Sequence, residues 1–154
     1  MRTVAPIVLT LILTALVFSQ EQDEKKIQRS SLPPAVEHTV AAQSKGATIR
    51  GFSEEKENGG TYYEAEMSVS GHSKDVLMNK DGEVVEVEEQ VAFDSLPAEV
   101  QQGLHHRAGS GKITKVESLT KHSKLVAYEA KVQAAGKRKE IQVGPDGKPL
   151  AHEE

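Results

Sequence analysis

The chain has 154 residues, no cysteine, no tryptophan and a formal net charge of −4. Without cysteine there is no disulfide framework, no thiolate metal site and no cysteine nucleophile. With 19 basic against 23 acidic residues and only three Tyr and three Phe, neither a phosphate-neutralising nucleic-acid binder nor a base-stacking surface is expected.

Residues 1–19 come first. Arg2 supplies a positive start, and Val4 to Phe18 is an uncharged, mostly apolar run. Val17 and Ser19 are small enough to flank a cleavage after Ser19. This is the layout of a secretory signal peptide. A membrane span needs about 20 apolar residues, and this run is shorter and broken by Pro6, Thr10 and Thr14. Cleavage is therefore expected, with no membrane contact afterwards. Residues 20–30 are polar with balanced charge and read as a disordered lead-in.

From residue 31 the chain repeats itself. Ser31-Leu32-Pro33-Pro34-Ala35-Val36 returns as Ser95-Leu96-Pro97-Ala98-Glu99-Val100. Ile49 and Phe52 return as Ile113 and Val116. Tyr63-Glu64-Ala65 returns as Tyr128-Glu129-Ala130, and Asp81-Gly82 as Asp146-Gly147. Residues 31–90 and 91–154 thus read as two copies of one small α+β unit.

Each copy opens with a helix. Pro33 and Pro97 suit the first helical position, which needs no backbone donor. Leu32, Val36 and Val40 form one apolar stripe, and Leu96, Val100 and Leu104 form the other. Four antiparallel strands are expected after each helix. Tyr63, Ala65, Met67 and Val69 alternate with Glu64, Glu66 and Ser68. Tyr128, Ala130, Val132 and Ala134 alternate with Glu129, Lys131 and Gln133. That period marks strands with one buried face. Asp81-Gly82 and Asp146-Gly147 suit tight two-residue hairpins. The final strand of each copy is placed at Val84–Val87 and at Lys148-Pro149-Leu150. The expected fold is α+β, two tandem helix-plus-four-strand repeats with the helices on one face of antiparallel sheet.

Leu-Pro-x-x-Val, then Ile-x-x-Phe or Val, then Tyr-Glu-Ala, then Asp-Gly, twice behind a signal peptide, resembles the PepSY-like family, also described as β-lactamase-inhibitor-like. The resemblance covers residues 31–154. It implies a secreted or periplasmic module with helices on one face of a curved antiparallel sheet. Related PepSY domains are associated with restraining peptidases. Tandem-repeat β-lactamase inhibitors grip their enzyme with a concave sheet face. Those inhibitors are held by disulfides and carry many interface aromatics, and this chain has neither.

The candidate chemistry is sparse. His105 and His106 point about 100° apart on a helix, and neither has another His or acid one turn before it. No histidine is therefore assigned to metal. Asn79-Lys80-Asp81-Gly82-Glu83 lacks calcium-loop spacing, and its second copy keeps only the turn. No Gly-x-Ser-x-Gly elbow is present, and Gly109-Ser110-Gly111-Lys112 lacks the spacing of a phosphate loop. The many carboxylates sit at alternating strand positions and read as a solvated polar face, with no buried acid among them.

Charge is uneven. Residues 31–90 carry five basic and twelve acidic residues, and residues 95–154 carry ten and seven. Tyr62 would stand among carboxylates on the polar face, an arrangement suited to a protein contact. The expected function is that of an exported, non-enzymatic protein-binding module, with an inhibitor or regulator of an envelope or secreted hydrolase or peptidase as one form. Its candidate contact residues are Tyr62, Glu64, Glu66 and Lys131. It needs no cofactor, catalytic residue or metal, and it binds a protein or peptide of the cell envelope rather than nucleic acid. The alternative is a small-ligand or metal-cation sensor in which His72, His122 and the acidic strands capture a cation.

Overall fold

The computed structural model describes residues 23–57 and 59–154. Residues 1–22, which include the segment read as a signal peptide, and Asn58 lie outside them. Two Leu-Pro segments start the helices: α1 is Pro34–Gln43 and α2 is Ala98–Ala108. Pro33 and Pro97 cap them from just outside, one position earlier than expected. Both predicted stripes are inward. Val36, Val40, Val100 and Leu104 are fully buried, and Leu32 and Leu96 nearly so. α2 stops at Gly109, whose φ of 60° opens the loop before the next strand.

The strands are β1 (Asp23–Ile27), β2 (Thr48–Glu57), β3 (Gly60–Val69), β4 (His72–Asn79), β5 (Val84–Gln90), β6 (Lys112–Lys121), β7 (Lys124–Ala134) and β8 (Lys137–Val143). They form one eight-stranded sheet in chain order, antiparallel throughout. β1 and β8 are its two edges. α1 connects β1 to β2, and α2 connects β5 to β6.

One face of the sheet is apolar. Phe52, Ala65, Val76 and Val87 lie side by side in register and pack with α1 in one core. Val116, Ala130 and Ile141 do the same across β6 to β8 and pack with α2 in a second core. The cores are separate, while the sheet beneath them is continuous. The seam between them is the β5–β6 pair, five residues long from Glu86↔Lys121 to Gln90↔Glu117.

Three details differ from the sequence reading. The stretch read as a disordered lead-in contains β1, which pairs along β2 from Asp23↔Lys56 to Ile27↔Phe52. A polar segment becomes a strand here because a neighbouring strand edge supplies its hydrogen bonds. The tight two-residue turns are Ser70-Gly71, His122-Ser123 and Ala135-Gly136, where both residues take positive φ. At Asp81-Gly82 only the glycine does, at 78°, and the loop is wider, closed by Asn79 N–H to Glu83 O at 3.0 Å. This is a turn followed by a single left-handed residue. Finally, Lys148-Pro149-Leu150 is not a strand, so four strands follow α1 and three follow α2. Pro149 has no N–H to give a ladder. The chain end is held instead by the Glu154 N–H, which donates to Gln142 Oε1 at 2.8 Å.

Candidate functional site

Because both helices cover the same face, the other face of the sheet is left open. Alternation sends one set of side chains there from every strand. From β3 come Tyr62, Glu64 and Glu66. From β4 come Asp75 and Leu77, from β5 Glu86 and Glu88, from β6 Glu117 and Leu119, and from β7 Glu129 and Lys131. Of these, Glu64, Asp75, Leu77, Glu86, Glu88, Glu129 and Lys131 line a groove of about 510 Å³, in which ten lining residues are carboxylates and two, Lys121 and Lys131, are lysines.

Packing this many acids together perturbs them. Burial pushes the Glu88 carboxyl up to about 8, with the charges of Glu129 and Glu117 adding to it. Burial and the nearby charges of Glu64 and Glu24 push Glu55 up to about 7. Glu64, Asp75, Glu86 and Glu129 are also raised, burial being the main cause in each.

Two carboxylate clusters stand out, and they are neutralised differently. Glu24, Glu64 and Glu66 bring carboxylate oxygens within 4.8 Å of one another. The Lys26 ammonium sits among them, 2.7 Å from Glu24 and hydrogen-bonded to Glu66. Its own proton is held more tightly as a result, chiefly by the bonds to Glu24 and Glu66. Asp75, Glu88 and Glu117 form the second cluster, with the same 4.8 Å limit. Here Glu117 is only 2% exposed. Its Oε1 accepts from Ser73 Oγ at 3.1 Å and pairs with Lys115 Nζ at 2.5 Å. Its Oε2 is buried and accepts no hydrogen bond, with Lys131 Nζ 3.7 Å away.

The sequence-predicted contact residues are spread over this face. Tyr62 stands opposite Glu55 on the neighbouring strand and is partly buried. Glu64 lines the groove and accepts from Ser53 Oγ at 2.7 Å. Glu66 is bound to Lys26. Lys131 lies four strands away on β7 and bridges to Glu140 at 3.2 Å. Tyr62, Glu64 and Glu66 are thus neighbours, and Lys131 belongs to the other end of the groove.

The reading of the acids as a solvated face is corrected: Glu117 is buried, and Glu88 and Glu55 are strongly perturbed. The alternation of Glu86, Glu88 and Gln90 along β5 was the sequence signal for the centre of the groove. His72 and His122 do not meet. His72 pairs with Val69 at one end of β4, while the His122 N–H donates to Val85 O near the other end. His105 lies edge-on to the Phe93 ring, centroids 4.9 Å apart.

This architecture has solved counterparts. A protein provisionally described as periplasmic, from Bacteroides eggerthii, aligns over 77% of this chain and 86% of its own, with a TM-score of 0.63 and 19% identity. A DUF2874 family protein from Bacteroides ovatus aligns over 78% and 85%, with a TM-score of 0.60 and 19% identity. A BLIP-like protein from Bacteroides fragilis aligns over 75% and 81%, with a TM-score of 0.56 and 19% identity. The chain is similar to them in fold. No protein-family model matches the chain, and no curated protein matches its sequence. Among the described residues no helix is long and apolar enough to cross a membrane.

Proposed function

We propose that the chain is an exported, non-enzymatic binding module whose open sheet face docks on a protein partner of the cell envelope. The observation that carries this reading is the groove itself, ten carboxylates against two lysines on the face the helices leave free. A surface of that sign recruits a basic surface by long-range attraction and fixes its orientation. The partner is accordingly a protein presenting Lys and Arg, and the action is occlusion of the surface it covers. Inhibition or regulation of an envelope or secreted hydrolase is the form of occlusion we favour. The fold similarity to a BLIP-like protein supports that choice. Export through residues 1–19 and duplication of one helix-led unit over residues 31–90 and 91–154 belong to the same reading.

The test is retention of exported host proteins on the immobilised chain. A partner held at low salt should be released as ionic strength rises from about 0.05 to 0.5 M, where screening shortens the reach of surface charge. The triple change Tyr62→Ala, Glu64→Lys, Glu66→Lys should weaken retention at least tenfold. Retention that ignores both salt and the triple change would refute docking through this face.

A further inference from the structure

Residues 31–90 hold the excess of acids and residues 95–154 the excess of bases, and the open face keeps the two apart. Glu64, Asp75, Glu86 and Glu88, on β3 to β5, line the acidic groove. The second half carries a basic corner instead. Two rows stand in register across β6, β7 and β8, Lys115–Lys131–Glu140 and Lys112–Gln133–Arg138. All of these but Lys112, together with Thr114, line a second cleft of about 630 Å³. It adjoins the acidic groove, because Lys131 and Glu140, 3.2 Å apart, line both. Lys112 and Arg138 are exposed and make no ion pair among the described residues. Arg138 lies on the edge strand β8, so the basic corner is a rim, a shape that can enter the groove of another molecule.

We propose that two copies of this chain pair through their open faces, the basic corner of each seated in the acidic groove of the other. The inference rests on the reading of the groove as a docking site for a basic protein surface, and it names one such surface. The chain carries both sides of the contact, and their charges are complementary. A two-fold axis midway between groove and corner makes both contacts at once, so the assembly closes as an isologous dimer. The unpaired Arg138 guanidinium is a planar fork that bonds both oxygens of a carboxylate, and the groove supplies carboxylates from several strands. Pairing covers the groove. The dimer is then the closed form of the docking face, and its dissociation exposes the groove to an envelope partner.

The experiment is analytical ultracentrifugation of residues 20–154, which contain every described element, over a micromolar concentration series. A monomer–dimer equilibrium is expected in about 0.05 M salt, weakened at least tenfold in about 0.5 M salt, where charge is screened over a shorter distance. Arg138→Gln, at an exposed position, should weaken the dimer at least threefold. Lys112→Glu with Arg138→Glu should leave a monomer, and so should Glu64→Lys with Glu66→Lys. An equimolar mixture of these two reversed chains should dimerise again, because each offers the charge the other lacks. A chain that stays monomeric throughout the series in low salt overturns the proposal. So does a dimer indifferent to salt and to the reversals, growth beyond the dimer, or a mixture that stays monomeric. The retention assay fails separately: Lys112→Glu with Arg138→Glu leaves the groove intact and should still hold a retained partner. Absence of the dimer with retention preserved strikes only this inference, and absence of both strikes the groove as a docking surface.

Discussion

The two halves of the molecule seat their helices on the sheet by different means. Under α1, Thr39 Oγ1 donates to the Gly82 carbonyl at 2.7 Å. Under α2 the matching position is Gly103, and a Cβ there would come within 2.0 Å of the Gly147 carbonyl. One half fills the gap with a hydroxyl and a hydrogen bond. The other removes the side chain and lets two backbones touch. The Asp-Gly turn is the common floor. A Cβ on Gly82 would meet Ala35 O at 2.5 Å, and one on Gly147 would meet Glu99 O at 2.1 Å. Both halves thus hold a contact between turn and helix, and each closes it by different chemistry.

The sharpest way to break this comparison is Gly147→Ala. The new methyl would collide with helix backbone, and the residue sits at φ 75°. Backbone cannot yield as a flexible side chain can, so we expect a loss of about 3–5 kcal/mol in urea unfolding. Gly82→Ala should cost less, since its nearest approach is longer. Equal losses would show that the two seats are equivalent.

Acidity should separate the halves next. Glu55 and Glu88 have folded-state values of about 7 and 8, above the ordinary carboxylate range. Their folded forms therefore hold protons that the unfolded chain has released. The stability they contribute is fully present below the ordinary carboxylate value and is lost as pH rises through 7 and 8. The melting midpoint should fall by several degrees between about pH 5 and pH 8.5. Glu55→Gln and Glu88→Gln together should flatten that slope, which calorimetry at several pH values would read. A midpoint that rises over the range would contradict the burial of these acids.

Thr39→Ala should have the smallest effect. It removes one side-chain hydrogen bond, and we expect about 1 kcal/mol. Thr39→Gly, which copies the second half, should not recover the loss, because the turn under α1 is held farther from the helix. Recovery would mean that the two seats interconvert by one substitution.

Features set by neighbours in the chain were legible in the sequence. The helix stripes Leu32–Val36–Val40 and Leu96–Val100–Leu104 follow from spacing, and the placement of Glu64 and Glu66 together on one face of β3 follows from alternation. The Asp-Gly signal marked real turns but misjudged their width, because the closing bond from Asn79 to Glu83 involves flanking residues. β1 was missed because its order comes from β2, some 30 residues along the chain. Glu117 was missed for the same reason. Val116-Glu117-Ser118-Leu119 looks like any alternating strand, and the groups that enclose it, Ser73 and Lys131, come from other strands. The cluster with Asp75 and Glu88 exists only once the register of β4, β5 and β6 is set.

The last strand has a consequence beyond its own half. β8 ends the sheet with one edge unpaired, and an unpaired edge is a template for further strands. Lys137, Arg138 and Lys139 stand consecutively along it and are exposed. Two copies meeting there edge to edge would press like charges together. The sheet is not closed into a barrel, and the positive charge along this edge opposes its extension by a second copy.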